Sequence, residues 1–210
     1  MINVFIADDH AIVRKGLKQI VSDAEDMAVV GEAENGSDAL RQLRQCAPDV
    51  LILDIAMPGK SGVEVLKQIK QETPKLPVLI LSMYPEEQYA VRLIKAGAAG
   101  YLVKESAPEL LVSAIRIVAQ GKRFISPSVA ELLANELERD SDSPLHHALS
   151  DREFQILRLI ASGKTVSEIA DSLALSVKTV STYRTRMLDK MKLKNNAELM
   201  HYAIKNSLIG

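Results

Sequence analysis

The 210-residue sequence has one cysteine, no tryptophan and only 4% aromatic residues. A single cysteine makes no internal disulfide and leaves no Cys-x-x-Cys pair for zinc, so Cys46 reads as a small buried hydrophobe in a reducing compartment. Few aromatic rings argue against surfaces that stack sugars or bases. Long apolar runs are missing too, none approaching the roughly 18 residues of a membrane-spanning helix. Near the N-terminus, Asp8 and Asp9 stand where a signal peptide carries its apolar stretch. The expectation is a cytoplasmic protein without a membrane partner. Net charge is also nearly absent, at -1.

What is present is a hydrophobic share of 47%, enough for a substantial core, and a charge that is unevenly placed. Residues 1–124 carry 15 Lys+Arg against 16 Asp+Glu, residues 125–147 carry 1 against 5, and residues 148–210 carry 10 against 6. The basic last third is the candidate for an anionic partner. ERDSDSPLHHA at 138–148 is rich in charge, serine and proline and reads as a connection. The expected organisation is a first domain over 1–122, a linker containing a helix over 123–147, and a second domain over 148–210.

In the first domain, candidate strands at 3–7, 28–33, 50–53, 78–81 and 100–103 recur about every 25 residues, the repeat of a βα unit. Between them, 11–24, 37–45, 61–72, 85–96 and 107–120 carry helical spacing of apolar residues. VLIL occurs at both 50–53 and 78–81, continuously apolar as strands buried on both faces must be. A doubly wound parallel sheet follows, and such sheets bind ligands beyond the carboxyl ends of their strands.

Those ends carry Asp8-Asp9, Asp54, Ser82 and Lys104. Alone, each has a plain explanation: a helix cap, a loop start, a solvated charge. Together they converge on one crevice, where three carboxylates repel unless a divalent cation offsets them. An all-oxygen donor set without His or Cys favours Mg²⁺. A free carboxylate, a hydroxyl, a lysine and such a metal make a phosphoryl-acceptor arrangement. Asp54 is assigned as nucleophile, Asp9 and secondarily Asp8 to the metal, Lys104 to a phosphoryl oxygen, and Ser82 as the hydroxyl that follows the phosphate.

ADDH at 7–10, LILDIAMPGKSG at 51–62, LSM at 81–83 and AAGYLVK at 98–104 resemble the receiver domain of two-component response regulators. The resemblance implies a flavodoxin-like (βα)5 fold, phosphorylation of Asp54, Mg²⁺ held by Asp9, Asp54 and the carbonyl of Ala56, and Ser82 with Tyr101 as a switch pair. It also implies a sensor histidine kinase or phosphotransfer protein as partner. Tyr101 could instead cap the sheet with its ring, but adjacent strand ends favour the switch. Phosphorylation adds about -1.5 to -2 charges, for which Ser82 and Lys104 become differential partners. Glu105 follows Lys104 where many receivers have proline.

From Leu149 the chain reads as four short helices. Ser150 with Glu153, and Thr165 with Glu168, are capping boxes; Gly163 ends the first helix and Ser176 caps the third. Two helices around the Ala174-Leu175-Ser176 turn make a helix-turn-helix candidate. Advancing about 100° per residue puts Val180, Tyr183, Met187 and Met191 on the third helix's inner face and Lys178, Ser181, Thr182, Thr185 and Arg186 on its outer face. Hydroxyls flanked by Lys and Arg suit a major groove. Arg184 falls near the inward edge, for a phosphate contact or an interhelix pair. Lys190, Lys192 and Lys194 either extend the basic footprint or are solvated.

LSDREFQILRLIASGKTVSEIADSLALSVKTVSTYRTRMLDKM resembles the LuxR-type helix-turn-helix, a small all-α four-helix domain, so the whole chain resembles a response regulator of the NarL/FixJ type. KTVSTYRTRML is similar to the recognition helix of the BvgA and GacA branch. The resemblance implies a homodimer on double-stranded DNA, with Leu199, Tyr202, Ala203 and Ile204 of the fourth helix serving either dimer contacts or the core. Two other classes stand beside this one. An aspartyl-phosphate phosphatase of the haloacid-dehalogenase type needs a second Asp two residues past the nucleophile, where this chain has Ala56. A protein-binding module needs apolar anchors where the third helix is polar.

Overall fold

A computed structural model of the chain describes residues 1–138 and 144–209; part of the expected connection, 139–143, lies outside the described residues. The chain divides into two compact units, Met1–Leu132 and Leu133–Gly210.

In the first unit, β1 (Ile2–Ala7), α1 (Ala11–Ser22), β2 (Met27–Ala33), α2 (Gly36–Leu43), β3 (Val50–Asp54), α3 (Gly62–Glu72), β4 (Val78–Ser82), α4 (Glu86–Lys95) and β5 (Gly100–Val103) alternate. A single 3-10 turn, Lys104–Ser106, leads into α5 (Ala107–Ala119). The strands form one parallel sheet in the order β2-β1-β3-β4-β5. β3 and β4 are buried along their full length, which is why VLIL shows no alternation. Val4, Ile6, Ile52, Leu79 and Leu81 join Leu111, Ile115 and Val118 of α5 in the core. Truncating such a residue to alanine costs about 2–5 kcal/mol.

The strand order reverses between β1 and β3, which lie side by side and parallel, so the crevice opens at their carboxyl ends. Gly62 is needed there, because a Cβ would sit 2.1 Å from the carbonyl oxygen of Asp54. α3 thus starts hard against the end of β3, held by a Ser61–Glu64 capping box. At the sheet's far edge, β2 carries one extra residue: Val4 pairs with Val29 and Phe5 with Gly31, leaving Val30 unmatched and 39% exposed. Cys46 is half-buried rather than buried, its Sγ 3.8 Å from the carbonyl of Val30.

α6 (Pro127–Glu138) begins in the first unit and crosses into the second. Its start is tied to α4: Ser126 Oγ donates to Glu86 Oε2 at 2.8 Å, Ser128 Oγ donates to the same oxygen, and Val129 N donates to Ser126 Oγ.

In the second unit, a 3-10 turn at Leu145–Ala148 precedes α7 (Asp151–Ala161), α8 (Val166–Leu173), α9 (Val177–Met191) and α10 (Asn196–Lys205). The expected caps form: capping boxes at Ser150 and Thr165, and Ser176 accepting from the Thr179 N–H. α7 packs on α8, α9 and α10 through Phe154, Leu157, Ile160, Ile169, Val180, Met187, Met191 and Leu199. Ala174, in the turn between α8 and α9, adopts φ 52°, a left-handed conformation unusual for a residue with a Cβ. Among the described residues no helix is long and apolar enough to cross a membrane.

Candidate phosphoacceptor site and nucleic-acid interface

The first site is built by strand ends. Asp8 follows β1, its N–H bonded to the carbonyl of Ala33; Asp54 closes β3; Ser82 closes β4; Lys104 follows β5. Asp8 and Asp54 are each 1% exposed and Ser82 is fully buried. Lys104 Nζ lies 2.6 Å from Asp8 Oδ2 and 2.6 Å from Asp54 Oδ2. The other oxygen of Asp54 accepts the Ala56 N–H at 3.0 Å. Asp8 Oδ1 accepts the His10 N–H at 2.8 Å, and its carbonyl accepts Arg14 Nη1 at 2.8 Å.

Burial pushes the Asp54 carboxyl up, against the attraction of Lys104 and the Ala56 N–H. Burial also works against the charge of Lys104, but Asp54 and Asp8 outweigh it and hold the ammonium above its ordinary value. The lysine therefore stays charged between two carboxylates.

Asp8, Asp9, His10 and Asp54 place ligand atoms within 4.8 Å of one another. Asp8 Oδ2 and Asp9 Oδ1 are cut off from solvent, with Lys104 Nζ at 2.6 Å from the first and the His10 ring at 2.8 Å from the second. Oxygen atoms in that condition fit a hard divalent cation. Sequence reasoning gave His10 no role, although it stands in the ADDH run; its Nδ1 is 2.8 Å from Asp9 Oδ1.

Ser82 Oγ accepts the Tyr84 N–H at 3.1 Å, and Tyr101 Oη donates to the Tyr84 carbonyl at 2.7 Å. Both expected switch residues thus hold one loop residue. Tyr101 is 1% exposed, so its ring is fully internal rather than a wet cap. The loop they hold leads within two residues to Glu86, the carboxylate that grips α6.

The second site is the outer face of α9. Lys178, Ser181, Thr182, Thr185 and Arg186 are all exposed, as the helical wheel requires. Arg184 is half-buried and its Nε donates to Asn196 Oδ1 at 2.7 Å, making it an interhelix pair. Tyr183 is half-buried, and Leu188 joins the inner face in its place. Lys190 is committed to Glu153 at 2.7 Å, and Lys192 caps the helix at φ 55°. On α10, Leu199 and Ala203 are core and Tyr202 is half-buried, whereas Ile204 is 64% exposed.

A buried acidic pocket gated by a lysine at the head of a parallel sheet, followed by a helix-turn-helix with a polar outer face, defines a signal receiver coupled to a nucleic-acid reader. The description of the response regulator receiver domain matches residues 4–116, and that of bacterial regulatory proteins of the luxR family matches residues 147–203. The response regulator UvrY of Escherichia coli is 40% identical, covering 99% of this chain and 96% of its own. The response regulator GacA of Pseudomonas aeruginosa is 39% identical, covering 100% and 98%. Among solved structures, RcsB from Salmonella enterica serovar Typhimurium, bound to promoter P1flhDC in the presence of the phosphomimetic BeF3-, is similar with a TM-score of 0.61 at 32% identity, covering 98% of each chain. The chain belongs to the two-component response regulators of the NarL/FixJ type, with a receiver and a LuxR-type DNA-binding domain, in the GacA and UvrY branch.

Proposed function

We propose that Asp54 is the phosphoacceptor through which a sensor histidine kinase or phosphotransfer protein sets this regulator's affinity for DNA. The observation that carries this reading is the position of Lys104, bridging Asp8 and Asp54 at 2.6 Å each. An Asp54 oxygen bonds to phosphorus as the donor's bond to phosphorus breaks, and Lys104 exchanges the carboxylate for a phosphoryl oxygen. Ser82 turns its hydroxyl from the Tyr84 N–H to the phosphate, and Tyr101 follows the loop that Ser82 releases. Asp9, Asp54, Asp8 and the carbonyl of Ala56 would hold Mg²⁺, which supplies charge neutralisation at the transferring phosphoryl group.

On the output side, Lys178, Ser181, Thr182, Thr185 and Arg186 face the major groove, and Arg184 fixes the angle between α9 and α10 through Asn196. The protein acts as a homodimer on double-stranded DNA, with Met200 and Ile204 on the exposed side of α10 available to the contact. The functional divisions are a receiver over 1–122, a linker with a helix over 123–147 and a DNA-binding domain over 148–210. The setting is cytoplasmic. Turnover of an external phosphoester is not part of the function: the position of an acid/base two residues past Asp54 holds Ala56.

The test measures binding to random duplex pools by wild type and Asp54→Ala, with and without acetyl phosphate and Mg²⁺, at fixed salt. Selective binding that the donor strengthens only in wild type supports the reading. Selective binding indifferent to both donor and mutation would discard phosphate control.

A further inference from the structure

The chemistry left available on the outer face of α9 goes beyond a general affinity for DNA. Thr182 Oγ1 donates to the Lys178 carbonyl at 2.9 Å, and Thr185 Oγ1 donates to the Ser181 carbonyl at 3.1 Å. Each threonine has therefore spent its only side-chain donor on its own helix. What remains for a partner is a γ-methyl and acceptor lone pairs. Val177, at the start of the same helix, adds an apolar side chain that is 50% exposed.

The residues missing from this helix matter equally. VKTVSTYRTRMLDKM contains neither Asn nor Gln, the two side chains that read adenine bidentately through N6 and N7. On the thymine side an A·T pair presents the O4 acceptor, which asks for a donor that these threonines have spent, and the C5 methyl, which asks only for apolar contact. Thr182 and Thr185 are separated by about 4.5 Å along the helix axis, close to the 3.4 Å rise of stacked base pairs. Asp189 is exposed in the last part of α9 and would repel phosphates there, which favours approach by the turns before it, where Val177 and both threonines lie.

We propose that α9 recognises A·T pairs from the thymine side, with the γ-methyls of Thr182 and Thr185 packing on thymine C5 methyls of neighbouring base pairs. The operator half-site then carries a thymine-containing step that is read by apolar contact rather than by hydrogen bonds. This inference rests on the DNA-binding reading above and identifies the chemistry of its ligand.

The experiment starts from duplexes selected out of a random pool by the full-length protein treated with acetyl phosphate and Mg²⁺. These are resynthesised with deoxyuridine replacing thymine one position at a time, which removes only the C5 methyl. Wild type should bind about fourfold more weakly at each position whose methyl is read, the worth of one buried methyl group. Thr182→Val and Thr185→Val, which keep the methyl and lose the hydroxyl, should retain that thymine-to-uracil ratio. Thr182→Ser and Thr185→Ser, which keep the hydroxyl and lose the methyl, should each bring the ratio at one position close to one. Thermal melting of every variant checks that the fold persists. Equal binding of thymine and uracil duplexes by wild type would overturn the proposal, as would serine variants that keep the full ratio or selected half-sites that lack thymine. Failure to select any duplex would overturn the DNA-binding reading itself, and this inference with it.

Discussion

In the receiver, residues as far apart in sequence as Asp8 and Lys104 meet in a pocket where Asp8, Asp54 and Ser82 are at most 1% exposed. On α9, the interacting groups come from one stretch, 177–186, and nearly all of them face solvent. Convergence from distant strand ends makes the first site an all-or-none device: each charge is held by another, and removing one leaves the rest unpaired in a low-dielectric interior. The helix surface is graded instead, since losing one exposed side chain leaves no buried charge unpaired. The same chain thus stores its signal where water is excluded and spends it where water is displaced.

The largest effect should come from breaking the buried side of this comparison. Lys104→Ala leaves two carboxylates facing each other without their cation, and the receiver should lose about 3–5 kcal/mol of stability. Denaturant unfolding monitored on the receiver checks this, and millimolar Mg²⁺ should restore part of the loss. A variant as stable as wild type would show that the pocket is not held by charge.

An ion pair in the second unit, between buried Glu153 and exposed Lys190, sharpens the contrast, since its role is structural. Burial alone would push the Glu153 carboxyl up, but Lys190 and the N–H and hydroxyl of Ser150 together hold it below its ordinary value of 4.5. A carboxyl depressed in the folded state contributes stability that is present above about pH 4.5 and is lost as pH falls through its folded value. Acid titration of the second unit, followed by circular dichroism, should therefore show destabilisation below that point. Lys190→Met, which raises the folded value, should lower stability at neutral pH and flatten this acid dependence, whereas Lys194→Met should do neither.

On the exposed face the expected changes are smaller. Lys178→Ala should weaken binding to all duplexes alike and lower the slope of log affinity against log salt by about 1, read from titrations at several salt concentrations. A loss confined to one duplex sequence would instead make Lys178 a reader of bases. The smallest effect is expected at the turn of the helix-turn-helix. Ala174→Gly relieves about 1 kcal/mol of left-handed strain and returns part of it to the unfolded chain's entropy, for a net gain of about 0.5 kcal/mol in thermal unfolding.

Much of this organisation is legible in the sequence, for identifiable reasons. Strands buried on both faces must be apolar throughout, so Asp54 and Ser82 stand out as the polar residues that end VLIL runs. Helix caps are local, so Ser61, Ser150, Thr165 and Ser176 could be read from residues three positions apart. Contacts that depend on tertiary placement could not. Arg184 lies at the edge of the wheel, and only the position of Asn196 on the next helix turns it inward. Glu86 meets Ser126 and Ser128 across 40 residues of chain or more. Ile204 has the composition of a core residue and is exposed, because Leu199 and Ala203 already fill the space beneath α10.

The two margins of the sheet carry one further meaning. A parallel sheet with bare outer strands invites further strands, from another copy or from a misfolded neighbour. Here β2 is interrupted by the extra residue Val30, and β5 is met by Phe124, whose N–H bonds to the carbonyl of Ala99 while Gly100 bridges to it. Neither margin presents an unbroken ladder for recruitment. Growth by strand addition is closed off at both ends, so copies of this protein have their helical faces on which to meet. An assembly made that way rests on separate side-chain contacts, which can be undone singly, as a ladder zipped along a backbone could not.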